Sequence, residues 1–414
     1  MASPVDTSVK FFTSDMPNAP VLNGTAGSLI ALLGACLVDG FNAVTLASLE
    51  ASGGVMTATW SSGTFAALPH SVVLISGVTG GPTGYADANG EQKIVSRPSS
   101  LTATWATDLP DGTYTGTISM KMAPAGWEWL FSTTNKGVLR SLSPERHGQV
   151  LRIDDSAAQN ARVVGYESMS DVDTGSGPFP TGAQVSGGGW WWKSGAANSS
   201  AVKWTVVSDG RVFYFWCSPY SYGAPVGGVV NGFGDPIART PIGDIHSTFV
   251  GYNASGSITT GYSATGCLSS SANSTATTNS GVALARAVSG VAGAQIISSR
   301  SYTGSAGPAC YSGITGDLGG ISDVDGRLVI SRRFLPLLSA NAGGAPRADL
   351  PGIYSIPQSG AYGLLTNGDT LDGSEELAGR TLLVVNTLAA TNPNTAPSTF
   401  NTGAALFDIT GPWR

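Results

Sequence analysis

The stretch SLTATWATDLPDGTYTGTISMKM, residues 100–122, consists of two runs in which apolar and polar residues alternate, with a turn signal between them. Alternation with a period of two is typical of strands that bury one face. The Asp-Leu-Pro-Asp-Gly segment at 108–112 favours a turn, because Pro, Asp and Gly interrupt regular structure. The stretch therefore predicts two successive strands, over residues 100–107 and 113–122.

Strand-like runs also precede this stretch. They are VMTATW (55–60), SVVLIS (71–76) and QKIVS (92–96). Further turn signals, Gly53-Gly54 and Asn89-Gly90, punctuate the runs. Residues 55–122 thus hold five short strands at regular spacing, and this pattern predicts an antiparallel β-sandwich.

The remainder of the chain is also mostly strand-like. A second β-rich section extends from WEWLF (127–131) to RVFYFWC (211–217), and Gly, Ser, Thr and Ala dominate residues 221–320. Strand patterns then return in RLVISRRFLPLL (327–338), GIYSIP (352–357), RTLLVVNTL (380–388) and AALFDIT (404–410). The predicted fold class is mainly β, with antiparallel β-sandwich-like domains and one short N-terminal helix.

The helix is predicted over residues 25–41, where Leu29, Leu33 and Leu37 recur near the helical period. Thr25 or Ser28 can cap its start, and Asp39-Gly40 suits its end. A single amphipathic helix of this kind either packs on its own domain or docks onto a partner as an arm.

Changes in pattern along the chain predict four segments. They are an N-terminal helix and docking segment (1–54), a β-sandwich domain (55–125), a second β-rich domain with a tryptophan cluster (126–225), and Gly/Ser/Thr-rich loops followed by a C-terminal β-rich domain (226–414).

The chain is unusually poor in charge. Charged residues make up 12% of it, about half of the ~25% that is usual in soluble proteins, and the mean hydropathy is +0.10. Such a surface predicts a homo-oligomer, because interfaces between subunits are depleted in charge. The alternative is a large all-β monomer with faces coated by Ser and Thr.

Several classes of partner and compartment are disfavoured. The net charge is −6 and Lys and Arg do not cluster, which argues against a nucleic-acid partner. The longest apolar stretch, residues 28–41, is too short to span a bilayer, so no membrane insertion is expected. The first residues lack the pattern of a secretion signal, which predicts a protein made and kept in a cytoplasm.

GGGWWWKSG (187–195) contains three consecutive tryptophans, whose rings must be shielded from water. A ligand, the chain's own core or another subunit could shield them. We predict that this run forms a meander with AVKWTVV (201–207) and RVFYFWC (211–217), joined at the last step by a tight turn at 208–210. The indoles of these three runs are the candidates for an interface or a ligand site: Trp190, Trp191, Trp192, Trp204 and Trp216. Because alternation places rings on both faces, core or interface is the favoured interpretation, with ligand stacking as the alternative.

Signatures of catalysis and of metal binding are weak. DVDTGSG (171–177) and DVDG (323–326) resemble parts of calcium loops, although such strings more often build Asx-turns. The histidines, His70, His147 and His246, do not have the spacing of zinc ligands, and neither a nucleophile elbow nor a phosphate loop occurs. Asp154 and Asp155 are adjacent, so on a strand they point to opposite faces and cannot flank one glycosidic bond. We therefore expect no enzyme and no cofactor, and we assign no metal-ligating residue; calcium binding at 171–177 stays open.

The four cysteines, Cys36, Cys217, Cys267 and Cys310, contain no CxxC pair. Buried thiols are the favoured interpretation, and a disulfide between Cys267 and Cys310 stays open.

Several stretches resemble a family of tailed-bacteriophage virion proteins that are encoded among the tail genes. The longest is VKFFTSDMPNAPVLNGTAGSLIALLGACLVDGFN (9–42). The others are residues 151–181, 300–307, 325–334, 350–358, 379–385 and 407–414. The similarity lies in the residue pattern of these stretches, which contain no catalytic motif.

The resemblance implies a structural component of the tail tip or baseplate, assembled in the cytoplasm of the bacterial host and located in the virion tail. It implies a ring or trimer of identical chains that contacts other tail or baseplate proteins, with the tail hub or receptor-binding fibres among the neighbours. The alternative function is that of a carbohydrate- or receptor-binding tail protein that recognises a host surface glycan through Trp190–Trp192 or the loops at 253–281.

Overall fold

A computed structural model of the chain describes residues 3–219, 227–240, 243–253, 256, 281–287, 290, 293–298, 320–321, 326–336, 346–361, 363–387 and 403–414. Strands dominate it, and they are assembled into antiparallel sheets. This confirms the predicted fold class, which was mainly β with sandwich-like antiparallel sheets and one short helix.

The strands are numbered in chain order. The first fifteen are β1 (Lys10–Thr13), β2 (Phe41–Thr45), β3 (Ser48–Ser52), β4 (Val55–Thr59), β5 (Val72–Gly80), β6 (Gly90–Lys93), β7 (Ser96–Ser99), β8 (Thr102–Ala106), β9 (Gly112–Met122), β10 (Trp127–Ser132), β11 (Lys136–Ser141), β12 (Val150–Asp154), β13 (Asn160–Met169), β14 (Gly175–Phe179) and β15 (Gly189–Trp192).

The remaining strands follow in the second half of the chain. They are β16 (Lys203–Ser208), β17 (Val212–Ser218), β18 (Val229–Gly234), β19 (Ile237–Ala238), β20 (Phe249–Tyr252), β21 (Gly281–Leu284), β22 (Gln295–Ser298), β23 (Ser331–Pro336), β24 (Pro346–Ser355), β25 (Thr370–Asp372), β26 (Thr381–Thr387) and β27 (Gly403–Asp408). Short 3-10 turns lie at Tyr85–Ala88, Ser359–Ala361 and Glu375–Leu377.

The eight-stranded sheet has the order β6-β5-β9-β3-β4-β8-β7, and β2 also pairs with β9. It contains the strands predicted from residues 55–122, but the run at 92–96 is divided between β6 and β7, which lie at opposite ends of this order. Between them, Ile94 N–H donates to Ser71 O and Val95 N–H donates to Thr104 O. The chain therefore crosses from one end of the sheet to the other at this point, and the sheet curls back on itself.

The seven-stranded sheet has the order β1-β16-β17-β18-β20-β21-β22. The predicted tight turn at 208–210 is confirmed, because β16 and β17 pair across it with Val207 opposite Tyr214. The sheet joins strands from three of the predicted segments, 1–54, 126–225 and 226–414, and the segment boundaries themselves stay predictions.

The predicted meander of three strands is wrong at its first member. β15 pairs with β13, placing Trp191 opposite Ala161, and it belongs to the six-stranded sheet β10-β11-β12-β13-β14 rather than to the sheet of β16 and β17. The reason lies directly after β15, where the backbone N–H of Lys193 donates to Gln159 O and its side chain is buried against Asp155. These contacts hold the end of β15 beside β13.

The last sheet has the order β19-β24-β27-β26-β25, with β23 also paired to β24. Along β26, Leu383 and Val385 join the main core, whereas Leu382 and Val384 join a second, smaller cluster. Both faces of this strand are therefore buried, which explains why its sequence is a continuous apolar run without alternation.

The predicted helix is shorter and more irregular than its pattern suggested. An α-helix, α1 (Ser28–Leu33), continues into a π-helical segment (Gly34–Asp39), which ends at Gly40 as predicted. Neither Thr25 nor Ser28 provides a side-chain cap. Leu29, Leu33 and Leu37 are fully buried in the main core, so the helix packs on its own chain.

Candidate functional site

Four of the five candidate tryptophans are covered by the chain's own core. Trp191 and Trp192 are 0% exposed, and Trp204 and Trp216 are 1% exposed. Around Trp191, the rings of Phe213 and Phe215 lie at centroid distances of 5.9 Å. Of the three possible covers for these rings, the structure therefore shows the core.

The indole N–H groups tie distant segments of the chain together. Trp191 Nε1 donates to Gly251 O at 2.7 Å. Trp204 Nε1 donates to Pro20 O at 3.0 Å, and Trp216 Nε1 donates to Asn386 O at 2.8 Å. Because a buried indole N–H needs an acceptor, these bonds specify where each ring sits. Rings held in this way do not offer a stacking face to a ligand.

Trp190 is the one candidate that is partly exposed, and it too has a partner. The guanidinium of Arg162 lies 3.7 Å from the centre of its ring, a cation–π contact. Arg162 is itself anchored, since it donates to Gly187 O at 2.8 Å and to Ser186 O. Gly256 also lies against the indole, close enough that a Cβ there would be 2.9 Å from the ring. The Trp190 ring is thus already in contact with Arg162 and Gly256 of the same chain.

A buried ion pair lies directly after the tryptophans. The side chains of Lys193 and Asp155 are both 0% exposed and are in direct contact through Nζ and Oδ1. Lys193 Nζ also donates to Thr25 O at 2.7 Å and to Ala157 O at 3.0 Å. The sequence offered one sign of this pair, which is a lysine at the end of an otherwise apolar run.

The second oxygen of Asp155 has a different environment. Asp155 Oδ2 accepts the backbone N–H groups of Leu29, at 2.7 Å, and of Ile30, at 3.2 Å. Burial raises the pKa of Asp155, although the charge of Lys193 opposes this shift. Burial likewise lowers the pKa of Lys193, with Asp155 opposing. The carboxylate therefore serves as the missing cap of α1 and as the partner of the buried lysine.

Asp154 points away from this pair, as strand alternation predicts. It lies 3.3 Å from Arg152 and 3.8 Å from Lys136 and is partly exposed. Partial burial acts to raise its pKa, but hydrogen bonds from Ser156 and the nearby positive charges lower the pKa overall. The two adjacent carboxylates thus do not act on a common point.

The calcium-like string at 171–177 forms an Asx-turn. Asp171 Oδ1 accepts the backbone N–H groups of Asp173 and Thr174, both at 2.8 Å. Asp173 in turn pairs with Lys136 at 3.0 Å and contacts Arg152. The carboxylates of this loop are therefore engaged with protein donors. In the string at 323–326, only Gly326 lies within the described residues.

A cluster around His147 went unnoticed in the sequence because its members lie far apart. The backbone N–H of His147 donates to Asp235 Oδ2 at 2.7 Å, and the Thr248 hydroxyl donates to Asp235 Oδ1 at 2.6 Å. The ring nitrogen Nδ1 lies 3.2 Å from Thr248 Oγ1. Histidine, aspartate and a hydroxyl meet here, but the Thr248 hydroxyl donates its hydrogen bond to the Asp235 carboxylate, and Thr248 is fully buried. The arrangement suits a structural role better than nucleophilic catalysis.

This cluster predicts a dependence of stability on pH. Burial lowers the pKa of His147; Arg211 and Arg414 reinforce the shift, and Asp235 and Asp244 oppose it. The unfolded chain then takes up the proton first, so stability is lost as the pH falls below about 6.5. We expect the loss in unfolding free energy between about pH 7.5 and pH 5.5 to be smaller in His147→Gln than in the wild type. Urea unfolding at both pH values measures it, and equal losses in the two proteins would contradict the assignment.

The thiols that the structure describes are buried. Cys36 and Cys217 are 0% exposed, and burial raises the pKa of both. Cys267 and Cys310, whose pairing was left open, lie outside the described residues.

Across the described ranges, no three side chains of His, Cys, Asp or Glu are grouped so that they could hold a metal ion. In that same part of the chain, the helices are too short or too polar to cross a membrane. In comparisons with known proteins, no family model matches the chain and no curated protein matches it significantly.

Proposed function

We propose that this chain is a structural subunit of the tail tip or baseplate of a tailed bacteriophage. It works by assembling with copies of itself, as a ring or trimer, and with other tail proteins. The resemblance of residues 9–42 and of the later stretches to phage tail proteins supports this proposal, as does the low charge of the chain. The structural observation that supports self-assembly is a sheet face almost free of charge.

This surface, which we call the hydroxyl face, lies on the outer side of the eight-stranded sheet. Its members are aligned by strand register and are partly or fully exposed: Ser48, Glu50, Thr57, Thr59, Ser96, Ser99, Thr102, Thr104 and Thr113. One row crosses five strands, in the order Ser96, Thr104, Thr57, Glu50 and Thr113. The alternate residues of the same strands, such as Met56 and Trp105, are buried in the core.

The hydroxyls of this face are largely satisfied by one another. Ser48 and Thr59 are 2.7 Å apart, Ser96 and Thr104 are 2.8 Å apart, and Ser99 donates to Thr102 at 2.9 Å. Polar groups that already have partners cost less to remove from water than groups that would lose a hydrogen bond. Of these nine residues, only Glu50 carries a charge, whereas about 25% of the residues in typical soluble domains are charged. These properties suit a contact surface between subunits.

We expect the purified chain to form a defined oligomer, with a mass in light scattering that is a multiple of 42.0 kDa. The double variant Thr57→Lys, Thr104→Lys adds two facing charges in the middle of the hydroxyl face and should shift the mass towards 42.0 kDa. Thr134→Lys, at an exposed threonine outside this face, is the matched control and should keep the wild-type mass.

A wild-type chain that stays at 42.0 kDa over a wide range of concentrations would overturn self-assembly and favour the all-β monomer with Ser/Thr-coated faces. If the double variant has the same oligomer mass as the wild type, the contact between subunits lies on another surface. Circular dichroism of each variant confirms that it is folded.

The alternative of host-glycan recognition is not favoured by the tryptophans. Four of the rings are buried and Trp190 is stacked by Arg162, so an open aromatic platform is missing from this part of the described structure. In the loops at 253–281, only residues 253, 256 and 281 are described. For these loops the alternative stays a prediction.

A further inference from the structure

The side-chain amine of Lys193 and the carboxyl group of Asp155 meet inside the core. Both side chains are fully buried, and the backbone of each residue is held in place. Asp155 N–H donates to Asn135 O at 2.8 Å, and Lys193 N–H donates to Gln159 O at 2.9 Å. The amine and the carboxyl group are therefore in contact within a buried site, and the backbone is fixed at both residues.

We infer that Asp155 and Lys193 are joined by an intramolecular isopeptide bond, an amide between Asp155 Cγ and Lys193 Nζ. The inference is independent of the proposed role in a phage tail. It rests on the different surroundings of the two carboxylate oxygens and on the exclusion of water from the pair.

The two oxygens of Asp155 are suited to different parts in this reaction. Oδ2 receives the backbone N–H groups of Leu29 and Ile30, at 2.7 and 3.2 Å, and this is the arrangement that stabilises the negative oxygen of a tetrahedral intermediate. Oδ1 is in contact with the lysine nitrogen, from which it can take protons. Oδ2 is thus the oxygen that stays in the amide, and Oδ1 is the oxygen that leaves.

The reaction balances without any further reactant. A proton moves from the ammonium of Lys193 to Asp155 Oδ1, and the free amine attacks Cγ to form the tetrahedral intermediate. A second proton follows to Oδ1, the Cγ–Oδ1 bond breaks, and one water molecule departs. The third proton of the original ammonium stays on the amide nitrogen, and neither oxidation nor reduction occurs.

The surroundings favour the reactive forms of both groups. A neutral amine and a neutral carboxyl group are required for attack, and burial shifts the pKa of Lys193 down and that of Asp155 up. Thr25 O and Ala157 O accept hydrogen bonds from Nζ and fix its position. Two reactants that are held in contact in the right orientation can react as fast as if one of them were present at a concentration of about 10⁵–10⁸ M.

The bond would act as a covalent clasp, by which we mean a link between the ends of β12 and β15. Asp155 directly follows β12 and Lys193 directly follows β15, and these two strands pair with β13. Through Leu29 and Ile30 the same carboxyl group holds the start of α1. A single covalent link would thus secure the first helix and two strands of the six-stranded sheet.

Intact mass spectrometry of the denatured wild-type protein tests the inference directly. We expect a mass lower than that of the linear chain by one water molecule. Trypsin should then fail to cut after Lys193 and should release residues 153–162 linked to residues 163–203. A full linear mass together with cleavage after Lys193 would overturn the inference and leave a non-covalent ion pair.

Three variants identify the atoms involved. Lys193→Arg should show its full linear mass, because arginine does not form the amide. Asp155→Asn should lose one ammonia molecule instead of one water molecule, because the amide nitrogen then takes the place of the leaving oxygen. Asp154→Asn, the neighbouring carboxylate on the other face, should still lose water; if the loss disappears in this variant alone, the link involves Asp154 and the assignment to Asp155 is wrong. Because the wild-type mass is decisive by itself, a variant that fails to fold does not weaken the test.

Discussion

Asp155→Ala is expected to lower the free energy of unfolding by about 3–5 kcal/mol, the range for removing one partner of a buried ion pair. The change leaves the ammonium of Lys193 buried without its carboxylate and removes the acceptor of the Leu29 and Ile30 N–H groups. Because alanine cannot form the inferred amide with Lys193, the variant also loses that covalent constraint, which adds to the effect. Urea denaturation followed by tryptophan fluorescence measures the difference.

Asp154→Ala is the matched control for this prediction. Asp154 is the adjacent residue, but it is partly exposed and its partners, Arg152 and Lys136, are also partly exposed. Exposed ion pairs contribute about 0–1 kcal/mol, so this variant should be close to the wild type. Equal losses in the two variants would show that the buried pair has no special role in stability.

Trp191→Ala is expected to cost about 3–5 kcal/mol, because it empties a fully buried site and removes the hydrogen bond to Gly251 O. Trp190→Ala, one residue earlier, should cost about 1–2 kcal/mol, since that ring is partly exposed and loses a cation–π contact with Arg162. The same unfolding experiment applies to both variants. If Trp191→Ala were tolerated as well as Trp190→Ala, the ring would not be part of the core.

Local patterns were sufficient for much of the β architecture. Alternation at Thr57 and Thr59, and again at Thr102 and Thr104, predicted strands with one polar face, and the structure places these residues on one face of one sheet. What the pattern did not reveal is which strands are neighbours. β8 and β9 flank the turn at 108–112, yet β3 and β4 lie between them, because pairing depends on contacts distant in sequence.

The tryptophan run shows why the site was harder to predict than the fold. A short apolar strand such as Gly189–Trp192 can pair with any neighbour that buries both of its faces, so its sequence does not distinguish β13 from β16. The deciding contact is that of Lys193 with Asp155. The start of α1 was missed for the same reason, because its cap comes from Asp155, 126 residues after Leu29.

The proposed role in a phage tail tip places this chain at the end of the tail. Immunogold electron microscopy tests it most directly, with antibodies raised against the purified chain and tailed-phage particles released from cells that carry its gene. Gold at the end of the tail is the predicted result. Particles that carry no gold, from lysates in which the chain itself is detected, would contradict the claim.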